Sequence, residues 1–477
     1  MNHVLVGRDT DTICAVSTPP GTGGISVIRV SGKKSLVLVK KLADFLPTQP
    51  TSHKIFYGNL VDPRNQEIID EVLVSYFKEG SSFTGEETIE ISAHGNLIIV
   101  ENILNALVFC GARLADRGEF TYRAFMNNKI DLVQAESVLA LIESKSKRAN
   151  RLAQRQLQGS LSQELEKIED ELLWMSAHLE ASIDFSTEGL DIVENSTLIN
   201  RASSLQERLK KLVGTYESGR LIKDGIVCAL IGQPNVGKSS LLNLLCESER
   251  AIVTDQAGTT RDTITTETSY AGIKFILTDT AGLRKESSDR IEKIGMERSR
   301  VASKEADFNL FIYDQSRGLD FEDMEILKEL DPKATFILAN KKDLPARDIN
   351  KQAVSDSYLG NFFKKNENPD QNPTSQMLSV SALDKGDREL ILKMIAKQAV
   401  DIESQDTTII LNSRHFENLS KSMEFLRNAQ QNLQKNLGAE FIALDLKEAL
   451  LFIQKTLGKS FDDQIMDKVF KEFCLGK

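Results

Sequence analysis

Between residues 232 and 383 five short strings stand in a fixed order: Gly232-Gln-Pro-Asn-Val-Gly-Lys-Ser239, Gly258-Thr-Thr-Arg-Asp262, Asp279-Thr-Ala-Gly282, Asn340-Lys-Lys-Asp343 and Ser381-Ala382. The first constrains the fold most, because a loop of this kind works only between a buried strand and a helix. Both are written beside it: Ile226-Val-Cys-Ala-Leu-Ile231 reads as a buried strand, and Ser240-Leu-Leu-Asn-Leu-Leu245 as an apolar helical stretch. Apolar strand patterns also precede Asp279 (Phe275-Ile-Leu-Thr278) and Asn340 (Thr335-Phe-Ile-Leu-Ala339). This part of the chain is therefore expected to be a doubly wound α/β domain of the Ras-like P-loop type, with its ligand at the carboxyl ends of the strands.

The strings specify the ligand. Backbone N–H groups of a glycine-rich loop at a helix N-terminus close around phosphate oxygens, which assigns Asn235-Val236-Gly237-Lys238-Ser239-Ser240 to the phosphates. Lys238 is expected to reach the β- and γ-phosphates and Ser239 to ligate Mg²⁺, with Thr260 as second metal ligand, Asp279 holding a metal-bound water and the Gly282 N–H on the γ-phosphate. Asn340-Lys341-Lys342-Asp343 and Ser381-Ala382-Leu383 then form the base site. An aspartate accepts from the two N–H groups that guanine presents and adenine lacks, and such a site rejects the analogue by on the order of 10⁴ to 10⁵. GTP is the expected substrate.

The hydrolytic machinery is less explicit. The position after Asp-Thr-Ala-Gly, a water-orienting glutamine in Ras-like proteins, is Leu283, which cannot orient water. The charged loop beyond offers Glu286, Asp289 and Glu292. No arginine finger is identifiable. The side-chain carbonyl of Asn235, joined by backbone carbonyls of the loop that follows, offers a monovalent cation a place beside the β/γ-phosphates, where K⁺ would supply the missing charge.

A length of 477 suggests roughly three domains. Residues 1–125 alternate short strands with turns (Ile13–Val16, Ile25–Val30, Val72–Phe77) and some helix, a small α+β domain. Residues 126–224 are helical, with a stripe through Leu157, Leu161, Leu165, Ile168, Leu172, Met175, Leu179 and Ile183. The P-loop domain, 225–399, interrupts this region. The stripe resumes in 400–477 as Phe416, Leu419, Met423, Leu426 and Leu433, then Ala443, Leu446, Leu450, Ile453 and Leu457, so the two halves should form one discontinuous bundle. The polar segment Gly360 to Gln376 reads as a loop.

Net charge is −10, which disfavours non-specific binding of nucleic acid and makes any RNA contact local. Lys145, Lys147, Arg148, Arg151 and Arg155 form one candidate basic cluster, with a solvated helix face as the plain alternative. Five scattered cysteines give neither metal spacing nor a secreted-type framework. No signal peptide, long apolar span or lipidation motif is visible, so the cytosol is the expected compartment.

The sequence resembles the tRNA-modification GTPase MnmE (TrmE) family over nearly its whole length. The most specific strings lie outside the P-loop domain: Thr18-Pro-Pro-Gly-Thr-Gly-Gly-Ile-Ser-Val-Ile-Arg29-Val-Ser-Gly32, Ser82-Phe-Thr-Gly-Glu-Glu-Thr-Ile-Glu90, His94-Gly95, Gly118-Glu-Phe-Thr-Tyr-Arg-Ala-Phe-Met-Asn-Asn-Lys129-Ile-Asp-Leu132, and Phe473-Cys474-Leu-Gly-Lys477. The resemblance implies a K⁺-stimulated GTPase, homodimeric through its N-terminal domain. With the FAD-carrying flavoprotein MnmG (GidA), it would add an aminomethyl-type group, such as carboxymethylaminomethyl, to C5 of the wobble uridine of certain tRNAs. Formyl- or methylene-tetrahydrofolate would give the one-carbon unit.

Matched position by position, the resemblance puts K⁺ on Asn235 and the backbone carbonyls of Thr254, Gln256 and Thr259. It adds Thr254-Asp255-Gln256-Ala257-Gly258-Thr259-Thr260 and Asp279-Thr280-Ala281-Gly282 to the GTP site, makes Glu292 the catalytic glutamate, and assigns folate to Arg29, Glu90, Lys129 and Lys477. Cys474, flanked by glycine and lysine, is the residue it marks for modification; a lysine alongside favours the thiolate. A pteridine's amide-like edge suits a carboxylate, and its glutamyl tail suits cations. The competing reading is a regulatory or ribosome-assembly GTPase that binds RNA without altering it. A membrane-remodelling GTPase would want a lipid-facing helix near the chain end, and none stands out.

Overall fold

A computed structural model describes residues 11–184, 194–246, 264–279, 301–347, 377–400 and 408–460, with 466, 469–473 and 476 beyond. The chain divides into two compact units, one of residues 1–142, 153–211 and 414–477, the other of residues 143–152 and 212–413. No described helix is long and apolar enough to cross a membrane.

The first unit opens with a six-stranded sheet of β1 (Ile13–Val16), β2 (Gly23–Ser31), β3 (Lys54–Val61), β4 (Ile68–Phe77), β5 (Thr88–Gly95) and β6 (Arg113–Leu114), in the order β3-β4-β5-β2-β1-β6. All pairs are antiparallel except β1 with β6. One face carries Ile28, Val30, Val72, Val74, Ile89 and Ile91, buried together with Leu38 and Val39 of the helix Ser35–Val39 and Ile103 and Leu107 of Leu97–Cys110. The opposite face is covered at β1, where Ile13 and Ala15 pack with Ala115 and Phe120, and is exposed toward β3. Register lines up Arg29, Glu90, Ser75 and Ile55 in one row across it, and Val27, Ser92, Leu73 and Tyr57 in the next. Strand alternation explains why these positions face away from the core, yet Ile55 and Tyr57 are each 65% exposed.

The helical part of this unit uses the expected stripe in Ser160–Asp184, where Leu161, Leu165, Ile168, Leu172, Met175 and Leu179 are buried. In Ser413–Gln434 and Ala439–Leu457 the expected Leu419, Leu426, Leu433, Leu446, Ile453 and Leu457 are buried, and the other expected positions are corrected by one residue. The buried lines are His415, Leu419, Ser422, Leu426, Ala429, Leu433 and Ile442, Leu446, Ala449, Ile453, Leu457, while Phe416, Met423, Ala443 and Leu450 sit at the margins. Polar residues occupy the first line because they have partners: Ser422 donates to the Ala449 carbonyl, and His415 meets Glu136, which also takes two Arg414 hydrogen bonds at 2.8 and 2.9 Å. A hydrophobicity pattern cannot register such positions. Phe470 and Phe473 pack with Tyr122, Phe125 and Leu132.

The second unit holds β7 (Ile226–Ile231), β8 (Ile264–Tyr270), β9 (Ile273–Asp279), β10 (Phe308–Asp314), β11 (Thr335–Asn340) and β12 (Met377–Ser379), ordered β12-β11-β10-β7-β9-β8. Only β8 runs antiparallel. Alternate residues feed two cores. Cys228, Leu230, Leu310, Ile312, Phe336 and Leu338 pack against Leu241, Leu245, Ile391 and Ile395 of the helices Lys238–Cys246 and Lys385–Ala399. Ala229, Ile231, Phe311, Tyr313, Ile337 and Ala339 pack against Met324 and Leu327 of Phe321–Lys328. Burial on both faces is why these strands read as unbroken apolar runs. The connection reverses direction at β7, with β9 on one side and β10 on the other, so the loop leaving β7 lies at the switch point where ligands bind such sheets. The polar segment 360–376, Cys474, Lys477, Glu286, Asp289 and Glu292, and residues 254–260 and 280–283 lie outside the described residues.

Candidate functional site: a nucleotide site and an open-sheet pocket

The loop after β7 is shaped by three left-handed positions. Gly232 has φ of 150°, and an added Cβ would stand 2.1 Å from the Ile312 carbonyl oxygen; Gly237 has φ of 99°, and its Cβ would meet Asn340 Nδ2 at 2.2 Å. Asn235, with φ of 64°, takes the third, a conformation asparagine tolerates better than most residues. Lys238, at the start of its helix, donates to the carbonyls of Gly232 and Gln233 at 2.7 Å each, which holds the cation over the loop. Burial draws its pKa below the ordinary lysine range, and Asp279 acts against that. A buried, partly desolvated ammonium gains strongly from an adjacent polyanion.

Ser239 Oγ donates to Asp279 Oδ2 at 3.2 Å, so the loop hydroxyl and the carboxylate at the end of β9 converge. This pair fits Mg²⁺, which takes few protein ligands and completes its octahedron with phosphate oxygens and water. Among the described residues no group of three or more His, Cys, Asp or Glu forms a protein-only metal cage.

The base motifs interlock with the phosphate loop. Asn340 Nδ2 donates to the Val236 carbonyl at 2.8 Å, and its Oδ1 accepts from the Ala382 N–H at 3.3 Å. Ser381 Oγ donates to Asp343 Oδ1 at 2.6 Å, and the Leu383 N–H donates back to Ser381 Oγ. Lys341, in a left-handed conformation with φ of 66°, reaches Asp314 at 2.6 Å, and Lys342 reaches Asp384 and Asp387 at 2.7 Å each. Four of the five strings have described residues, and these are brought together; residues 258–262 lie outside the described residues.

Sequence reasoning missed a polar brace behind the loop. Gln233 Nε2 donates to Asp320, Arg317 donates to Gln233 Oε1 at 2.9 Å and to Asp323 Oδ2 at 3.0 Å, and Asp320 with Asp323 forms a capping box on Phe321–Lys328. Burial pushes the Asp323 carboxyl up to about 6; the hydrogen bond from the Asp320 N–H opposes the rise, the Asp320 charge adds to it, and Arg317 opposes it. Only the Asp320-to-Asp323 spacing was readable as a helix start; nothing local ties Arg317 to Gln233.

On the open sheet face Arg29 Nε donates to Glu90 Oε1 at 2.9 Å, and the Arg29 guanidinium stands over the rings of Phe83 and Phe120 at 5.7 and 5.5 Å. Two predicted folate residues are therefore neighbours on adjacent strands. Lys129 donates to the Gly80 carbonyl at 3.0 Å and packs along Gly85 in the loop that carries Phe83. Gly476 touches the end of β1, its carbonyl accepting from Ser17 Oγ at 3.2 Å. Arg123 is 3% exposed and bonds Glu86, Glu119 and the Asp11 carbonyl, while Ser31, Thr84 and Thr88 form a buried hydroxyl cluster. These polar residues fix the loop 82–88 against helix Glu119–Met126.

A P-loop sheet that reads guanine, inserted between the helices of a bundle and preceded by an α+β sheet domain, defines a multidomain GTPase. The profile described as "MnmE helical domain" matches residues 132–474, and that described as "GTP-binding protein TrmE N-terminus" matches 12–129. A tRNA modification GTPase MnmE from Bdellovibrio bacteriovorus is 54% identical over 471 residues, covering 98% of each chain. One from Clostridioides difficile is 38% identical over 475 residues, covering 98% of this chain and 99% of its own. A solved structure of Era with MgGDPNP and a 16S ribosomal RNA fragment is similar over 42% of this chain and 66% of its own, at 23% identity and a TM-score of 0.26, too low for argument. This chain belongs to the MnmE family of tRNA modification GTPases, and it is a GTP hydrolase.

Proposed function

We propose that this chain couples K⁺-stimulated GTP hydrolysis to modification of the wobble uridine of certain tRNAs in the cytosol. It would act as a homodimer with a flavin-dependent MnmG-type partner, installing an aminomethyl-type group at C5 from a tetrahydrofolate one-carbon unit. The proposed domains are residues 1–125, 126–224, 225–399 and 400–477. The observation that carries the reading is the Arg29–Glu90 ion pair, partly buried on the sheet face away from the core. A guanidinium backed by aromatic rings and a carboxylate beside it suit a ligand with an anionic tail and an amide-like ring, and a pure guanine-nucleotide switch needs neither. Lys129 and Lys477 complete the set for the folate, whose chemistry when bound is to deliver one carbon.

Within the nucleotide site Lys238 orients the β- and γ-phosphates, Ser239 and Thr260 hold Mg²⁺, and Asp343 with Asn340 selects guanine. Asn235, held in the phosphate loop with φ of 64°, would ligate K⁺ together with Thr254, Gln256 and Thr259. Glu292 would orient the attacking water, and Cys474 would serve the modification step. The exposed Ile55, Tyr57 and Leu73 on the same sheet face favour burial against a second copy.

The test is mass spectrometry of wobble-uridine nucleosides from cells with and without this chain, alongside hydrolysis in K⁺ and Na⁺. The expected outcome is loss of C5-substituted uridines, restored by wild type and not by Cys474→Ser, with turnover faster in K⁺. Unchanged nucleosides would leave an RNA-binding regulatory GTPase; equal turnover in the two salts would remove Asn235 from cation binding.

A further inference from the structure

From Ser144 to Gln163 the chain carries Lys145, Lys147, Arg148, Arg151 and Arg155 and no carboxylate, within a protein of net charge −10. The structure forms most of this stretch into one helix, Lys147–Leu157. Its apolar side is spent: Ala149, Leu152 and Ala153 are buried at 4, 9 and 1% exposure. Lys147, Arg151 and Gln154 are exposed, and their spacing of four and three residues sets them on one line along the helix, with the exposed Gln158 in the turn beyond. At about 1.5 Å per residue that line is roughly 10 Å long.

The base of the helix is fixed to the sheet of the second unit. The Arg148 N–H donates to the Gly272 carbonyl at 3.0 Å, at the tip of the β8–β9 hairpin, and Gly272, with φ of 76°, lies against Lys147 Cβ. Lys274 at 2.7 Å already satisfies Glu267 on β8, so Lys145, at 3.8 Å and 60% exposed, is held only loosely there. The other end of β9 is Asp279, the partner of Ser239.

We propose that this face of the helix Lys147–Leu157 holds the phosphate backbone of the RNA that the chain acts on. The proposal rests on the tRNA reading above and adds where the RNA is held. Charge selects a polyanion, and the exposed amides of Asn150, Gln154 and Gln158 suit phosphate and sugar oxygens. An anionic membrane surface is the less favoured partner because the apolar residues an interfacial helix would insert are buried in the protein.

The experiment measures binding of full-length chain to unmodified tRNA transcripts by fluorescence anisotropy across a series of KCl concentrations. Lys147→Gln with Arg151→Gln is expected to weaken binding by roughly tenfold or more, equally for transcripts of different sequence, and to lower the salt slope by about two. GTP hydrolysis is expected to stay at the wild-type rate. Gln154→Lys adds a charge to the same line and is expected to tighten binding severalfold and steepen the slope, an outcome that misfolding cannot produce. Unchanged affinity in both variants overturns the proposal, as does preference for phosphatidylglycerol vesicles over tRNA. If wild type binds no tRNA while its deletion still removes the wobble modification, this surface is overturned and the tRNA reading stands. If the variants weaken binding as expected but deletion leaves the nucleosides unchanged, the surface stands and the modification reading falls.

Discussion

The nucleotide site and the open-sheet pocket are built in opposite ways. The first is made largely of main chain, from short contiguous strings each lying at the end of one strand, with Gly232, Asn235 and Gly237 supplying left-handed turns. The second is made of side chains that meet only through pairing. Arg29 and Glu90 lie 61 residues apart and touch because β2 and β5 align in one register. A slip of one residue would send Arg29 to the buried face. A site of the first kind can be read from local sequence, whereas one of the second kind depends on the whole sheet.

The sharpest way to break the comparison is to remove one side chain from the main-chain site. Asp343→Ala should abolish guanine preference, lowering discrimination against adenine by on the order of 10⁴. Calorimetric titration with GTP and with ATP checks this, and retained preference would mean that the backbone alone reads the base.

The next effect concerns the bundle. Burial alone would raise the Glu136 carboxyl, but the charges of His415 and Arg414 hold it down at about 2, against 4.5 for the free group. A carboxylate held below its unfolded pKa contributes stability that is complete above pH 4.5 and lost as pH falls toward 2, here of the order of 3 kcal/mol. Glu136→Ala should cost roughly 3–5 kcal/mol at neutral pH, because Arg414 and His415 are left without their carboxylate. Urea denaturation at pH 7 and pH 3 separates the two: the wild type should lose stability on acidification and the variant should lose much less.

A smaller effect tests the side-chain pocket. Arg29→Ala should weaken reduced-folate binding by about 1.5–3 kcal/mol, the worth of a hydrogen bond to a charged group, with GTP turnover unchanged. Equilibrium dialysis of tetrahydrofolate checks it. Full folate affinity would leave the Arg29–Glu90 pair as a strand-to-strand ion pair and no more.

Much of the molecule was legible because its apolar residues obey one period each. The strands of the GTPase sheet and the helix Ser160–Asp184 follow their patterns closely. The bundle helix Ser413–Gln434 did so only in part, since His415 and Ser422 stand where a hydrophobic residue is expected and are satisfied by groups from other helices. The Arg317 brace was invisible for the same reason. Its partner in the phosphate loop, Gln233, lies 84 residues earlier and carries no local signature of the contact.

That brace gives the smallest effect. Asp323 is fully buried with one oxygen lacking a partner among the described residues, and its folded pKa of about 6 exceeds the free value of 3.8. A raised carboxyl pKa has the opposite sign to that of Glu136: ionisation costs stability above pH 6, and the cost is relieved as pH falls from 6 toward 3.8. Asp323→Asn should therefore raise stability at pH 8 by about 1 kcal/mol, as neutral replacements of buried charges often do, and flatten its pH dependence in that interval. Arg317→Met removes the cation that fixes Gln233 and should raise the nucleotide dissociation rate severalfold with little change in melting temperature. Thermal melting over this pH range, with stopped-flow release of a fluorescent GDP, would distinguish a brace for the phosphate loop from a helix cap alone, since a cap would change melting and leave release untouched.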